Sequence, residues 1–379
     1  MQQAVRDSAF LVLGGGLLGA SMAYGLARLG VDVTVLDEGD DALRATRGNF
    51  GLVWVQNKGS TLPAYAVWSR DAAALWPELA RDLREETGID VALRQPGGFF
   101  FCFDERELEA REASMRAIQR QVPGAYPFEM LSREELRQRL PAIGPAVAGA
   151  CFSPMDGHVN PLKLYCALDE AGRKRGVETW RETRIEALRF EDGRFEVQTT
   201  RGVFRARRIV LAAGLGNRVL AEQVGLHAPV VPTRGQVLVT ERLRPFLSHP
   251  TNKLRQTDEG TVQVGDSVED VGFDDGTTLD VLQFMARRAV RCFPRLRDVN
   301  LVRAWGALRV MTPDGYPIYE QSARCPGAFV ATCHSGVTLA ATHALRVAPW
   351  IAGGHAPAGI EVFRSARLRE ANVAPMYVN

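Results

Sequence analysis

The chain has 379 residues, a formal net charge of +2, 46% apolar residues and 24% charged residues. These values are ordinary for a soluble protein of two domains, or of one large α/β domain with an insertion. They give no indication of a nucleic acid or an acidic membrane as a partner. No segment of the sequence approaches the length of a membrane span, so we expect no transmembrane segment.

The six cysteines do not have the spacing of metal ligands. No two of them form a C-x-x-C pair, and Cys333–His334 is the one adjacent Cys/His pair. In a chain of this length, the default expectation is free thiols in a reducing compartment. The sequence therefore predicts a cytoplasmic protein without a metal site.

The first elements in chain order lie in the uncharged stretch FLVLGGGLLGASMAYGLA, residues 10–27. A signal peptide or a spanning helix would be interrupted by its three consecutive glycines, each costing a helix roughly 1 kcal/mol relative to alanine. A phosphate-binding strand, loop and helix explains the glycines instead. We predict a buried strand over 9–13, a helix over 18–29, and a second buried strand in VDVTVLDEGD.

The glycines have the spacing Gly14-x-Gly16-x-x-Gly19 of a dinucleotide-binding motif. Gly14 would permit the tight turn, Gly16 the approach of a pyrophosphate, and Gly19 the close packing of helix and strand. Asp37 or Glu38 would then accept hydrogen bonds from a ribose, and Asp37 is favoured because it directly follows the strand. The alternative is an ordinary acid at a strand end. The motif predicts dinucleotide binding without choosing between NAD and FAD.

Later segments return to the nucleotide-binding sheet and then leave it. Residues 185–214 predict two alternating strands joined at Asp192–Gly193, and then the buried strand IVLAA. That strand ends in Ala213 and Gly214, where small residues would allow backbone to approach a ligand. Residues 97–103 and 231–240 predict antiparallel strands, which helices over 105–122 and 282–293 would cover.

The glycine motif and six later segments resemble the flavin-dependent D-amino-acid oxidase superfamily, in the branch with glycine oxidase, sarcosine oxidase and D-amino-acid dehydrogenases. These segments are, in chain order, GGGLLG with VLDEG, ATRGNFGLV, DGHVNP, RIVLAAGLG, VVPTRGQVLV, RAWGALRVMTPDGYPIY and FVATCHSGVTLAATHA. RGNFGLVWVQNKG and the PAYAVWSRDAAALWPEL that follows are similar to the catalytic β-subunits of opine oxidase and D-hydroxyproline dehydrogenase.

The resemblance implies an α/β fold, α+β overall, in which a Rossmann-like FAD-binding domain carries a discontinuous substrate domain built on an antiparallel sheet with helices. The FAD-binding domain would comprise residues 1–85, 150–225 and 305–379, and the substrate-binding domain residues 86–149 and 226–304. The resemblance also implies non-covalent FAD. Residues 46–52 contain no histidine, and Ala307 stands where relatives with covalent flavin carry a cysteine.

The resemblance gives Arg309, three residues before Thr312, the role of binding the substrate carboxylate. Guanidinium meets a carboxylate with two parallel hydrogen bonds, although a surface arginine is the alternative. His334 is a candidate general base, and packing against the flavin is its favoured interpretation. The loop whose backbone N–H groups would stabilise the flavin C2 carbonyl comprises Ser335, Gly336, Val337 and Thr338. Cys333 and Thr338 stand where this family commonly has glycine.

Further contacts follow from the same resemblance. The remaining cofactor-binding candidates are Leu18, Arg47, Gly48, Asn49, Gly51 and Ile185. The candidate substrate contacts, besides Arg309, are Trp54, Gln56 and Lys58.

The implied enzyme oxidises the Cα–N bond of an amino or imino acid by hydride transfer to flavin N5, giving an imine that water hydrolyses. A secondary amine such as D-hydroxyproline or an opine is favoured over the small substrates of a glycine or sarcosine oxidase. An alternative is a flavin-carrying subunit that is inactive until small electron-transfer subunits dock. The expected partners are therefore the small-molecule substrate and, in that alternative, those subunits.

Overall fold

The computed structural model describes residues 5–39, 45–265 and 267–370. The predicted domains also include residues 1–4, 40–44, 266 and 371–379, which lie outside the described residues. The strands are β1 (Val5–Leu13), β2 (Val33–Leu36), β3 (Leu52–Val53), β4 (Gly98–Cys102), β5 (Glu129–Ser132), β6 (Gly149–Ser153), β7 (Gly157–His158), β8 (Glu178–Trp180), β9 (Ile185–Glu191), β10 (Arg194–Thr199), β11 (Gly202–Leu211), β12 (Val231–Arg242), β13 (Leu254–Gln256), β14 (Thr261–Val264), β15 (Leu301–Met311), β16 (Ile318–Gln321) and β17 (Ala328–Thr332).

The α-helices are α1 (Leu17–Ala27), α2 (Pro63–Thr87), α3 (Glu105–Gln121), α4 (Arg133–Arg139), α5 (Pro161–Lys174), α6 (Asn217–Gln223), α7 (Leu279–Cys292), α8 (Gly336–Thr342), α9 (Ala348–Ile351) and α10 (Arg367–Glu370). Short 3₁₀ segments span Gly214–Gly216, Pro294–Leu296 and Ile360–Phe363. A π-helical segment, His343–Val347, joins α8 to α9. None of the helices in the described ranges is both long and apolar enough to cross a membrane.

The larger sheet is mostly parallel and has the order β16-β17-β11-β1-β2-β8. The hairpin β9–β10 pairs with the first half of β11, while β17 pairs with its second half. Alternate residues of β1 face opposite layers: Phe10 and Val12 pack with α1 and α8, whereas Leu11 and Leu13 pack with α6. The second half of β1, residues 10–13, is buried on both faces, which explains the continuous apolar run there. The mostly parallel sheet confirms the predicted α/β class.

The remaining strands form antiparallel sheets, β4-β6-β5 and β13-β14-β12-β15. Phe99 of β4 links the first sheet to the segment that leads into β13 of the second, since its N–H donates to the Pro250 carbonyl and its carbonyl accepts from the Asn252 N–H. Helices α4 and α7 pack with both sheets in one apolar cluster. β6 and β15 span the predicted boundaries at 149/150 and 304/305, and the division into domains stays a prediction.

The last helical region packs directly on the first helix. A Cβ on Gly25 of α1 would lie 2.3 Å from the Ala344 carbonyl oxygen, so the two backbones touch. The neighbouring His343 is fully buried, and its Nε2 lies 2.7 Å from the Tyr319 hydroxyl. Burial lowers the pKa of His343 from 6.5 to about 3.

We expect His343 to make the fold sensitive to acid. The unfolded chain binds a proton at this histidine near pH 6.5 and the folded chain only near pH 3, so stability is lost as the pH falls between these values. Between pH 7 and 5 the free energy of unfolding should fall by about 2 kcal/mol less in His343→Gln than in the wild type. Urea unfolding at both pH values measures this. His355→Gln, which alters an exposed histidine, should follow the wild type; equal losses in all three proteins would contradict the assignment.

Candidate functional site

Four strands of the larger sheet end at one edge. β1, β2, β11 and β17 are parallel, and their last residues are Leu13, Leu36, Leu211 and Thr332. Ligands of parallel sheets bind beyond the carboxyl ends of the strands. The loops that follow these strands carry most of the residues predicted to bind the cofactor. The fold therefore brings residues as far apart in the sequence as 14 and 338 to one edge of the sheet.

The glycines of the first loop make contacts that a side chain would prevent. A Cβ on Gly14, whose φ is +109°, would lie 2.6 Å from the Ala212 carbonyl oxygen. A Cβ on Gly19 would lie 1.8 Å from the Gly14 carbonyl oxygen. The Cβ position of Gly16 lies 3.1 Å from Oγ1 of Thr46, which accepts a hydrogen bond from Leu17 N–H at 2.8 Å. Thr46 lies in the segment 46–52 that the resemblance places along the cofactor, but it is not among the predicted ligands, because nothing local relates its side chain to the glycine loop.

Asp37 lies against this loop. Its Oδ2 accepts a hydrogen bond from Gly15 N–H at 2.6 Å, and its Oδ1 accepts one from Gly39 N–H at 3.0 Å. Glu38 is exposed. Helix α1 has no acidic residue in its first turn and no side-chain cap at Gly16, so its N-terminus attracts an anion. This chemistry fits the diphosphate and ribose of FAD.

Residues 46–51 contact the glycine loop through Thr46 and the antiparallel sheet through Gly48. The Gly48 carbonyl accepts a hydrogen bond from Trp305 Nε1 at 3.2 Å, and Asn49 Oδ1 accepts one from Gly51 N–H at 2.7 Å. Gly51 has φ +87°, and a Cβ there would lie 2.5 Å from the Val159 carbonyl oxygen. Arg47 is exposed. The segment therefore lies between the glycine loop and β15.

Asn217 holds two of the strand ends in place. It is fully buried; its Oδ1 accepts from Ala213 N–H at 2.9 Å, and its Nδ2 donates to the Leu211 and Ala331 carbonyls, both at 3.3 Å. Gly214, the residue after Ala213, has φ +58°. The remaining cofactor candidates pack against the two apolar layers of this sheet: Ile185, partly buried, lies in the layer with Leu13 and Leu36, and Leu18 lies in the layer of α1 and α8.

Arg309 lies on β15, opposite Thr233 of β12. Its Nη1 donates to the Ser267 carbonyl at 2.7 Å and to the Arg234 carbonyl at 3.2 Å. A Cβ on Gly235 would lie 2.4 Å from the Arg309 Cζ, so the guanidinium rests on bare backbone. Gly235 was missed in the sequence, although a glycine inside a strand such as VPTRGQVLV is a signal of such close approach.

The loop after β17 carries a cluster of polar side chains. Lys58 Nζ donates to Ser335 Oγ at 2.6 Å and to Thr338 Oγ1 at 3.3 Å, and the Tyr65 hydroxyl donates to Ser335 Oγ at 2.9 Å. Burial lowers the pKa of Lys58 from 10.5 to about 7. Cys333 is buried, which raises the pKa of its thiol to about 12, whereas His334 is exposed. The loop is thus fixed by side chains from residues 58 to 65.

A second buried network supports residues 54–56. Asp156 Oδ1 accepts from the Val55 and Gln56 N–H groups at 2.6 and 3.2 Å, and its Oδ2 accepts from Gln56 Nε2 at 2.5 Å. Gln56 Oε1 accepts from Arg111 Nη2 at 2.6 Å. Burial raises the pKa of Asp156 to about 7. Gln56 is fully buried, whereas Trp54 and Lys58 are partly exposed.

Within the described ranges, no group of three or more His, Cys, Asp and Glu side chains is placed to hold a metal ion.

A family model described as FAD dependent oxidoreductase (DAO) matches residues 9–350. One of the opine oxidase subunits of Agrobacterium tumefaciens (strain Ach5) is 45% identical over 357 residues, which cover 94% of this chain and 96% of that protein. Glycine oxidase of Geobacillus kaustophilus (strain HTA426) is 27% identical over 348 residues, 89% of this chain and 91% of that protein. The crystal structure of glycine oxidase from Geobacillus kaustophilus superposes with a TM-score of 0.85 at 25% identity, covering 99% and 100% of the two chains.

We expect Asp37→Ala to weaken FAD binding by ten-fold or more, because hydrogen bonds to a charged group contribute roughly 1.5–3 kcal/mol each. Fluorescence titration of the cofactor-free protein with FAD measures the dissociation constant. Glu38→Ala should weaken binding less, since Glu38 is exposed whereas Asp37 accepts a hydrogen bond from Gly15 N–H. A larger effect at Glu38 than at Asp37 would reverse the assignment of the ribose ligand.

Proposed function

Because the chain belongs to the DAO family of FAD-dependent oxidoreductases, we propose that it oxidises the Cα–N bond of a secondary amino acid of the opine or D-hydroxyproline class. The observation that carries the proposal is the position of the Arg309 guanidinium, which rests on the backbone of Gly235 in β12. Arg309 itself lies on β15, the strand that contacts residues 46–51 through Trp305. The 45% identity to an opine oxidase subunit over nearly the whole chain supports this substrate class.

Arg309 would bind the substrate carboxylate. Two backbone carbonyls fix its Nη1, so the plane of the guanidinium is set before substrate arrives. A planar, pre-oriented guanidinium forms two parallel hydrogen bonds with a carboxylate and loses little conformational entropy in doing so. This orients the Cα–H bond of the substrate.

The proposed cofactor is non-covalent FAD, which accepts a hydride at N5. The substrate Cα–H bond breaks, the nitrogen lone pair forms the C=N bond, the amine proton passes to water, and water then hydrolyses the imine. An amine that binds in its unprotonated form needs no side-chain base. His334, exposed beside Ser335, is therefore assigned to packing against the cofactor, and Trp54 and Lys58, partly exposed, border the substrate space in this proposal.

A second proposal is that the chain is one component of a hetero-oligomeric dehydrogenase. Two relatives that are 45% and 44% identical are each named as one of the subunits of opine oxidase. The part of the chain that the structure describes holds no cluster of metal-binding side chains, so small electron-transfer subunits would supply the acceptor. A third proposal, a glycine or sarcosine oxidase type of activity, is supported by the 27% identity to glycine oxidase.

The test is the visible spectrum of the purified protein, before and after anaerobic addition of opines, D-hydroxyproline, other D-amino acids, glycine and sarcosine. Loss of flavin absorbance with an opine or D-hydroxyproline supports the first proposal, and loss with glycine or sarcosine alone supports the third. A yellow protein that none of these compounds bleaches favours the second, and co-purifying electron-transfer subunits should then restore activity. A protein that takes up no FAD would contradict all three.

Arg309→Ala should retain FAD but lose most recognition of the carboxylate. Truncating one partner of such a charge pair costs about 2–5 kcal/mol, which corresponds to a fall in kcat/KM of roughly thirty-fold or more. Steady-state kinetics with a dye acceptor on the best substrate measures it. Arg303→Ala, an exposed arginine on the same strand, serves as the control; equal effects in the two variants would contradict the role of Arg309.

Gly235→Ala should impair the same step without removing the arginine. The added Cβ would displace the guanidinium, and misplacing a binding group by about 1 Å can cost up to 100-fold in rate. We expect kcat/KM to fall at least ten-fold while FAD content stays unchanged. Val231→Ala, at the exposed start of the same strand, is the control, and wild-type kinetics in Gly235→Ala would show that Arg309 does not need this surface.

A further inference from the structure

The hydroxyl group of Ser335 accepts two hydrogen bonds. Lys58 Nζ donates to it at 2.6 Å and the Tyr65 hydroxyl at 2.9 Å, so both acceptor positions of the oxygen are used. Its own hydrogen remains to be donated, and the described residues offer it no acceptor. Ser335 is therefore a donor whose direction is set by its two partners.

Thr338, the other hydroxyl of the loop, is fully engaged with protein. Its Oγ1 accepts from Trp54 N–H at 3.1 Å and from Lys58 at 3.3 Å, and donates to the Leu52 carbonyl at 3.3 Å. Its backbone carbonyl accepts from Trp76 Nε1 at 3.1 Å. Of the four residues predicted to border the flavin C2 carbonyl, Ser335 is thus the one with a side-chain hydrogen to give.

A tight turn holds Lys58 in position. Asn57 has φ +71° and Gly59 has φ +78°, and a Cβ on Gly59 would lie 2.4 Å from the Ala66 nitrogen at the start of α2. Lys58 N–H donates to the Val55 carbonyl at 3.1 Å. The backbone around Lys58 therefore packs against α2, and this packing positions the ammonium group beside Ser335.

The surroundings of Lys58 do not neutralise it. It forms no ion pair with a carboxylate of the described residues, and its ammonium lies 5.5 Å from the centre of the Tyr65 ring. The titratable groups that face it are Asp156, Cys333 and Tyr65; burial raises the pKa of all three. A cation in such surroundings is most stable when an anion binds beside it.

The site lies next to the nucleotide loop. The Cβ position of Gly336 is 3.9 Å from a Cδ atom of Leu17 at the start of α1, and Ser335 is the residue before it. A ligand that extends from the glycine loop across the strand ends would meet Ser335 at the end of β17. The flavin ring of FAD is neutral when oxidised and carries a negative charge in its reduced, anionic form.

We propose that Lys58 and Ser335 act together as a redox-tuning pair: Lys58 polarises the Ser335 hydroxyl, which donates to the flavin and favours its reduced, negatively charged form. A cation behind a neutral donor strengthens that hydrogen bond more as the acceptor gains charge. Lys58 is a positioning residue and Ser335 is the group that touches the cofactor. The inference rests on FAD binding in the proposed function but not on the identity of the substrate.

The test uses the full-length, FAD-loaded protein at pH 6, where Lys58 is charged. Sulfite, which forms a negatively charged adduct with flavins, is titrated, and the two-electron midpoint potential is measured against dyes. In Lys58→Met and in Ser335→Ala the dissociation constant for sulfite should rise at least ten-fold and the potential should fall by about 30 mV, the equivalent of a ten-fold change for two electrons. The double variant should be little worse than either single variant, because the two residues act as one unit.

Lys174→Met, which removes an exposed lysine on α5, should match the wild type, and Lys58→Arg should retain most of the sulfite affinity. Unchanged sulfite affinity and potential in Lys58→Met would overturn the inference, as would additive effects in the double variant. If Lys58→Met does not fold, Lys58→Gln replaces it; loss of FAD from both, with retention in Lys58→Arg, would show a role in holding the cofactor and not in tuning it. If no compound of the substrate panel bleaches the flavin but the Lys58 and Ser335 variants still bind sulfite more weakly, the proposed substrates are wrong and this inference is supported.

Discussion

The molecule depends on a contact between backbones at the end of its first strand. Gly14 touches the end of β11, and Gly19 at the start of α1 touches Gly14, at distances that exclude any Cβ. This contact fixes the angle at which α1 leaves the sheet, and so aims the N-terminus of the helix at the edge where four strands end. Every other segment of the candidate site is positioned relative to that edge.

Two kinds of support hold the segments that gather there. On the nucleotide side, buried polar groups such as Asn217 tie strand ends together directly. On the opposite side, the segment from 52 to 58 is held by Asp156 and Arg111, which form hydrogen bonds with the two ends of the Gln56 side-chain amide. Because Arg111 belongs to α3, this network links the antiparallel part of the molecule to the loop that carries Lys58.

The family and the nature of the cofactor could be predicted from the resemblance of seven short segments spread along the chain, whereas dinucleotide binding and the start of the α/β sheet could be predicted because their signals are local. The spacing of three glycines, the strand before them and the acid after the second strand all lie within residues 9 to 38. The preference for Asp37 over Glu38 as the ribose ligand also rests on local order and stays a prediction; Asp37 accepts a hydrogen bond from Gly15 N–H. The residues that were missed make contacts over long separations: Tyr65 meets Ser335 across 270 positions, and Gly235 meets Arg309 only through strand pairing. No spacing in one sequence reports such contacts, although a glycine within a strand marks where to look.

The pairing of β17 with β11, and the contact of Gly25 with Ala344, have a consequence for how the protein is made. β2 and β11, which pair with β1, follow it by about 20 and 200 residues, whereas Ala344, which contacts Gly25 of α1, lies about 320 residues downstream of that glycine. A ribosome adds 320 residues in roughly 16–64 s at 5–20 residues per second. During that interval the apolar faces of the first strand and helix have emerged without the layers that cover them. Chaperones that bind exposed apolar segments would therefore meet the N-terminal region first, and the sheet can close only after nearly the entire polypeptide has left the exit tunnel.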